Sequence, residues 1–216
     1  MPMDRALLFL CALLLGGCSA ISALDDAGRP LEVVDLRAPD RLTAIRTTRS
    51  RDLVVELPET GGALDTDRIM IRPSPLSAQY LPDVRWSDTT PVMLQTLMVR
   101  SFENTEGLRY VGRRPIGPDG DVALISELTH FEAEQTGEDT ARITLRLIAR
   151  LVREEDAEIL ATRIFRAGVD VPSTETDALL QGFDNAADIL LTELTGWTMG
   201  TLGIGLRETE VARLPK

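Results

Sequence analysis

The chain has 216 residues, of which 44% are hydrophobic and 26% are charged, so it is long enough for one globular domain with a sizeable core. Its formal net charge of −11 argues against docking on nucleic acid or on an anionic lipid surface, because both attract basic patches. We therefore expect one acidic domain that binds no nucleic acid.

The first residues have the composition of a secretory signal. A short basic start at Arg5, diluted by Asp4, precedes an apolar run over residues 6–15, which is about half the length that a membrane-spanning helix needs. The stretch LLGGCSA then places Cys18 directly after two glycines and resembles the bacterial lipobox. An ordinary signal peptide with an incidental cysteine, or a buried N-terminal helix, remains an alternative.

The cysteine count supports acylation. Cys11 lies inside the segment that would be removed, so Cys18 would be the only thiol of the mature chain and no disulfide could form within it. We expect a lipoprotein signal peptide at residues 1–17 and acyl chains, palmitate among them, on Cys18. Residues 18–30 would then form the lipidated cysteine and a tether of small and polar residues. Lipoproteins retained in the inner membrane usually have an aspartate directly after the cysteine. This chain has Ser19 at that position, so by resemblance we expect it at the periplasmic face of the outer membrane.

Three short strands and a helix are predicted in the first half of the domain. The strands are at residues 31–36, 51–57 and 68–72, the last two being stopped by proline or glycine. The sequence DTTP predicts a helix near residues 91–104, with Thr90 capping its free amides and Pro91 in the first position. A short extended piece follows at residues 110–112.

Three long extended runs are predicted next, at residues 122–135, 141–153 and 159–171. In the middle run, Ile143, Leu145 and Leu147 alternate with Arg142 and Arg146, which is the period of a sheet with one buried face. Because the turns between the runs are short, we expect antiparallel neighbours.

A second helix is predicted to close the domain. TETD at residues 174–177 resembles a capping box, and apolar residues recur at helical spacing up to Trp197. We expect the domain to cover residues 31–198 and a flexible tail to cover residues 199–216. The predicted fold class is α+β, with a mixed, largely antiparallel sheet and two amphipathic helices packed on it.

The sequence carries few signs of catalysis. His130 is the single histidine, so a zinc or proton-shuttling role would lack a second ligand at suitable spacing, and an ordinary strand residue is the simpler interpretation. The nucleophile-elbow, zinc-protease and phosphate-loop patterns do not occur. We therefore expect no enzyme activity, no metal and no cofactor.

Two charged clusters have alternative interpretations. The acids are Glu132, Glu134, Glu138 and Asp139, and the bases are Arg142, Arg146 and Arg150. The acids could pair for acid–base work on glycans, as in a periplasmic hydrolase, but a solvated strand end and turn explains them as well. The arginines could grip a phosphate on one sheet face, or acids on neighbouring strands could neutralise them.

Tyr80 and Trp86 stand out because aromatic residues make up 4% of the chain and both precede the first predicted helix. They either pin a loop to the core or form an exposed contact surface for a partner. Core packing is the simpler interpretation, and partner contact is the functional one.

Taken together, these segments resemble the ABC-type transport auxiliary lipoproteins. The resemblance covers residues 30–198 and the lipobox. The segments that carry it are, in chain order, RIMIRP, YLPDVRW, TPVMLQTLMVRSFE, LRYVG, the three antiparallel runs and FDNAADILLTELTGW. Tyr80 and Trp86 match the tyrosine and tryptophan of the family, and Cys18 matches its lipid site.

The resemblance implies a non-enzymatic lipoprotein of an MCE (mammalian-cell-entry) lipid transport system. Its partners would be a periplasmic MCE protein and, through that protein, an inner-membrane permease and ATPase. The system would move a phospholipid or a sterol-like lipid between the inner and outer membranes. Self-association into a ring would suit contact with an oligomeric tunnel. A structural or assembly lipoprotein of the outer membrane, with no part in lipid transport, is the alternative.

Overall fold

A computed structural model describes residues 30–45, 51–115 and 121–208. The predicted signal peptide at residues 1–17, the lipidation site Cys18 and all of the tether before Pro30 lie outside the described residues. The helices are α1 (Thr90–Glu103) and α2 (Thr176–Thr201). The strands are β1 (Glu32–Val34), β2 (Leu42–Ala44), β3 (Asp52–Val55), β4 (Glu59–Thr60), β5 (Arg68–Arg72), β6 (Gln79–Trp86), β7 (Tyr110–Gly112), β8 (Val122–Gln135), β9 (Ala141–Arg153), β10 (Glu158–Val171) and β11 (Leu206–Glu208).

The long strand β8 organises the main sheet. One of its edges pairs antiparallel with β9, which in turn pairs antiparallel with β10. The other edge pairs with three short strands in succession, β3, β4 and β5, and all three run parallel to β8. β7 continues the sheet beside β3, and β6 and β1 continue it beside β5. The predicted α+β class is confirmed.

Both helices lie on one face of this sheet. α2 packs on β9 and β10, and α1 packs on β3, β7 and α2. The contact is close at Gly182, where an added Cβ would lie 2.6 Å from Cγ2 of Val171 and 2.8 Å from Cγ1 of Ile143. The alternation in β9 explains the arrangement, because the apolar residues at its odd-numbered positions face the helices and are buried. They are Ala141, Ile143, Leu145, Leu147, Ala149 and Leu151.

An aromatic cluster joins the sheet to α2. The ring of Trp86 stands edge-on to the rings of Phe131 and Phe183, at centroid distances of 6.0 and 5.4 Å. Phe131 and Phe183 stack on each other at 5.4 Å. Such aromatic pairs add about 0.5–1.5 kcal/mol beyond the area they bury, so the end of β6 is held firmly in the core.

The C-terminal segment is more ordered than its composition suggests. The flexible tail expected from residue 199 is wrong up to Glu208: α2 runs to Thr201, and β11 pairs antiparallel with β2. Ile204 is buried, and its amide donates to the carbonyl of Met199. Residues 209–216 lie outside the described residues.

Neither predicted helix cap forms. Thr89 and Glu175 occupy the N-cap positions of α1 and α2, and neither makes a side-chain cap hydrogen bond. Thr90 is the first residue of α1, and its hydroxyl donates instead to the carbonyl of Thr66 at 3.0 Å. Here a tertiary partner replaces the local one that the motif predicts.

Candidate functional site

The face of the sheet turned away from the helices carries a mixed set of charged and apolar side chains. We call it the open face, meaning the outward residues of β8, β9 and β10. They stand in cross-strand rows, Ile125–Arg150–Thr162, Glu127–Ile148–Ile164, His130–Arg146–Arg166, Glu132–Thr144–Gly168 and Glu134–Arg142–Asp170. Residues opposite each other in such rows interact directly, so the rows determine which charges meet.

A β-bulge in β8 shapes this face. Leu128 pairs with Leu147 and His130 pairs with Arg146, so Thr129 is an extra residue without a partner in β9. Its hydroxyl oxygen accepts a hydrogen bond of 2.7 Å from Nη1 of Arg146 and lies 3.1 Å from Nδ1 of His130. Bulges commonly redirect side chains beside functional sites, and this one connects two basic groups through a hydroxyl.

A cavity of about 330 Å³ opens above the row His130–Arg146–Arg166. We call it the basic cleft. It is lined by His130, Arg142, Thr144, Leu145, Arg146, Arg166, Ala167 and Gly168. Three arginines and the only histidine therefore line one cavity, and no carboxylate is among its lining residues.

Gly168 makes room for one of these arginines. An added Cβ at Gly168 would lie 2.6 Å from Nη2 of Arg142, so the guanidinium of Arg142 occupies the space where a side chain would stand. Nη1 of Arg142 donates to Asp170 at 2.5 Å. The prediction that acids would neutralise the arginines across the ladder is therefore confirmed for Arg142 alone, because neither Arg146 nor Arg150 has an ion-pair partner among the described residues.

Glu132 lies at a gap on the other edge of β8. β4 pairs with this edge as far as Leu128 and β5 pairs with it from Ala133, so no described strand pairs with the intervening residues. The carboxylate of Glu132 turns into this gap, where Oε2 accepts a 2.6 Å hydrogen bond from the Phe131 amide. Oε1 lies 3.4 Å from Nε of Arg72. The residue is 1% exposed.

Burial raises the pKa of Glu132 above its ordinary value of 4.5. The Phe131 amide, His130 and Arg72 oppose this shift, whereas Glu134 adds to it. A second cavity of about 420 Å³ adjoins the carboxylate, with Arg72, His130 and Glu134 in its lining, so His130 stands between this cavity and the basic cleft.

The interpretation of the acids as a solvated strand end is wrong for Glu132 and holds for Glu138 and Asp139, which are exposed in the turn after β8. Within residues 30–45, 51–115 and 121–208, no three side chains of His, Cys, Asp or Glu form a group that could hold a metal ion. Alternation along β8 places Glu132 on the outward face, and the sequence contains no signal for the strand gap that buries it.

The structure separates Tyr80 from Trp86. Trp86 is 1% exposed in the aromatic cluster, so it does not form a contact surface, and the packing alternative applies to it. Tyr80 is 38% exposed on β6, and its hydroxyl donates to the carbonyl of Ala63 at 3.0 Å. The two were expected to behave alike, but the pairing of Arg68 with Arg85 and of Met70 with Tyr80 leaves extra residues on β6 between them.

A family model described as "ABC-type transport auxiliary lipoprotein component" matches residues 35–195. The chain belongs to this family. The family description names an auxiliary lipoprotein component of ABC-type transport. The matched range, residues 35–195, contains α1, most of α2, the aromatic cluster and the whole open face. Only the end of α2 lies beyond it among these features.

Two crystal structures and one curated protein are similar to this family member. Protein XCC0632 from Xanthomonas campestris is 27% identical, with a TM-score of 0.71 over 81% of this chain and 97% of that one. An uncharacterized protein, 13% identical, shares the fold with a TM-score of 0.61 over 79% of this chain and 99% of that one. The uncharacterized protein bll6063 of Bradyrhizobium diazoefficiens is 26% identical over 85% of this chain, which spans 50% of its length.

Neither helix in the described ranges is both long enough and apolar enough to cross a membrane.

Proposed function

We propose that this protein is a non-catalytic, lipid-anchored docking component of an MCE-type ABC system that carries lipid between the inner and outer membranes. The observation that carries the proposal is the family match across residues 35–195. That match supports an auxiliary lipoprotein of ABC transport. The proposal goes beyond the match in three respects. It names an MCE protein as the partner, a phospholipid or sterol-like lipid as the cargo, and the outer membrane as the location.

The proposed anchor is Cys18. The sequence LLGGCSA provides small residues before the cysteine, and cleavage there would leave its thiol and amino group to carry acyl chains. One acyl chain holds a protein to a bilayer only marginally, so several chains are needed for durable attachment. A short tether would then keep the domain close to the periplasmic face of the outer membrane, where its effective concentration beside a partner is high.

A docking role fits the environment of Glu132 better than hydrolysis does. A hydrolase acting through Glu132 and Glu134 would need a carboxyl group that reaches its substrate. Oε2 of Glu132 is instead bonded to the Phe131 amide inside the protein, and the side chain is buried. Its role is structural in this proposal.

Tyr80 is the proposed partner contact, alone now that Trp86 is in the core. Its ring is partly exposed while its hydroxyl is fixed by Ala63, so it offers apolar area at little cost in side-chain entropy. Tyr110 on β7 is a natural control, because it is the other tyrosine of the chain and its hydroxyl also donates to a backbone carbonyl, that of Arg114. Self-association into a ring is also part of the proposal.

Affinity capture from detergent-solubilised membranes tests the proposal. The tagged full chain should recover an MCE protein together with a permease and an ATPase, and a Cys18→Ala variant should recover much less because it lacks the anchor. A photocrosslinker in place of Tyr80 should join the chain to the MCE protein, and the same group in place of Tyr110 should not. Recovery of a different envelope complex without any MCE protein would refute the lipid route and favour a structural or assembly role.

A further inference from the structure

We propose that the basic cleft binds the phosphate group of a phosphate ester, with Arg146 and Arg166 as the principal donors. The isoleucines beside the cleft favour a phospholipid as the source of that phosphate. The inference deepens the proposed function and rests on it for the lipid, since it would make this subunit contact the cargo directly. Binding of the phosphate group depends only on the side chains of the open face.

The charges of the cleft are arranged unfavourably for the isolated sheet. Arg146 and Arg166 stand directly opposite each other in one cross-strand row, with His130 on the other side of Arg146. Like charges in such positions destabilise a sheet, and opposite charges stabilise it. The neighbouring row Glu134–Arg142–Asp170 follows the usual pattern, with Arg142 between two acids. No acid stands opposite Arg146 or Arg166 within their row, so an anion from outside would supply the compensation.

The two central arginines of the cleft have no carboxylate partners among the described residues. In a chain with a formal net charge of −11, neither Arg146 nor Arg166 makes an ion pair with any of the residues that the structure describes. Arg146 is held instead by the neutral hydroxyl of Thr129, which fixes its orientation and leaves its full charge facing the cleft. Arg166 is exposed beside it.

The shape of the donors favours phosphate over a carboxylate. A guanidinium presents a planar fork that binds two oxygens at once, and arginine is the usual residue for bidentate recognition of phosphate. Arg142, placed over Gly168, brings a third guanidinium to the same cavity, although its Nη1 is bonded to Asp170. A phosphate monoester has three terminal oxygens for these forks, whereas a phosphodiester and a carboxylate have two each, so a phospholipid with a monoester headgroup fits the cleft best.

The apolar part of the ligand is suggested by the next rows along the open face. Ile148 and Ile164 stand two residues from Arg146 and Arg166 on the same strands, and Ile125 lies diagonally beside Ile148. Ile125 and Ile164 are exposed. A cationic cleft bordered by an apolar patch matches an amphiphile whose charged headgroup is joined to a hydrocarbon chain.

Photocrosslinking in growing cells tests the lipid. A photoreactive benzoylphenylalanine replaces Ile164 in the full-length chain, and the matched control carries it in place of Ile189 on α2, since both isoleucines are 40% exposed. Cells are labelled with radioactive phosphate and irradiated, and the protein is purified under denaturing conditions. The inference predicts label at position 164 that a phospholipase releases, and far less label at position 189.

Charge variants test the cleft. Arg166→Gln should lower the crosslinking yield about tenfold, since a charge-assisted bond to phosphate is lost. Arg100→Gln, an exposed arginine of α1, should leave the yield unchanged. A second arm titrates the detergent-solubilised full chain with inorganic phosphate and with glycerol 3-phosphate at constant ionic strength. A rise in Tm that Arg166→Gln abolishes, without any lipid crosslink, would support the phosphate site and overturn the lipid source.

Three outcomes would overturn the inference: equal labelling at positions 164 and 189, a crosslink to protein without phosphate, or a yield indifferent to Arg166→Gln. These outcomes are separable from a failure of the proposed function. A phospholipid crosslink without capture of an MCE protein would refute the transporter assignment and leave the cleft standing. Capture of the MCE protein with neither a phosphate label nor a phosphate-dependent rise in Tm would refute the cleft alone.

Discussion

Nη1 of Arg146 donates a 2.7 Å hydrogen bond to the hydroxyl oxygen of Thr129, the extra residue of the bulge in β8. This bond ties an irregularity in the backbone to the orientation of a charged group on the open face. Without the bulge, Thr129 would have a partner in β9 and its hydroxyl would take a different position. The relationship therefore links the strand geometry to the basic cleft.

Replacing that hydroxyl should loosen Arg146. Thr129→Val keeps the β-branched shape and removes a bond to a charged donor, so we expect a loss of about 1 kcal/mol in the free energy of unfolding. The crosslinking yield at position 164 should also fall, because Arg146 is no longer held toward the cleft. Urea unfolding measures the stability. The control Thr162→Val, an exposed threonine of the same face, should change it by less than about 0.5 kcal/mol.

The buried Glu132 should make stability depend on pH. Its pKa is raised in the folded chain, mainly by burial, so the folded state keeps this proton to a higher pH than the unfolded state does. The group therefore contributes stability below its ordinary pKa of 4.5, and that contribution is lost as the pH rises through the folded-state value.

Glu132→Gln should remove this loss, because a neutral side chain occupies the strand gap at every pH. Urea unfolding as a function of pH should show the wild-type stability falling relative to that of the variant as the pH rises from the ordinary pKa of 4.5 towards neutrality. If the two chains keep a constant difference across that range, the raised pKa of Glu132 is wrong.

Trp86 and Tyr80 should differ sharply in their effect on stability. Trp86→Ala removes a buried ring that stands edge-on to both Phe131 and Phe183 and should cost about 3–5 kcal/mol. Tyr80→Ala loses a partly exposed ring and a single hydroxyl bond, so its cost should be about 1 kcal/mol. Equal losses in denaturant unfolding would contradict the separation of these residues into a core anchor and a contact residue.

Two glycines of α2 should respond oppositely to alanine. At Gly182 the new Cβ would overlap Val171 and Ile143, so Gly182→Ala should lower the Tm despite the better helix propensity of alanine. At Gly196 no atom lies within 4 Å of the new Cβ, so Gly196→Ala should stabilise the helix by about 0.5–1 kcal/mol. A higher Tm for Gly182→Ala would mean that α2 does not approach the sheet as closely as described.

The strands with strong alternation are those that the sequence predicts best. The bounds of β5, β7, β8 and β9 are as predicted, because period-two patterning and turn residues delimit them. The sequence predicts a loop where the structure has β6, because Pro82 interrupts the segment. Asp83 there has a φ of 59°, and the irregular backbone leaves no period-two alternation of apolar residues in the sequence. β2 and β11 are three residues each, too short for any periodicity to show.

The candidate site is predicted less completely. The sequence places Arg142 and Arg146 on one face, and Arg166 joins them through the register of β9 and β10, which no local pattern specifies. The bulge at Thr129 depends on the register of β8 against β9, and the strand gap at Glu132 depends on how β4 and β5 meet β8. These are tertiary relationships, and a single sequence carries no direct signal for them.

The central claim is that a lipid-modified cysteine fastens this acidic domain to a membrane, and mass spectrometry of the N-terminal peptide of the mature protein tests it most directly. The account predicts a chain that begins at Cys18 and carries a diacylglyceryl group on its sulfur. A chain that retains the leader, or one with an unmodified Cys18 thiol, would contradict the anchor and the transport role built on it.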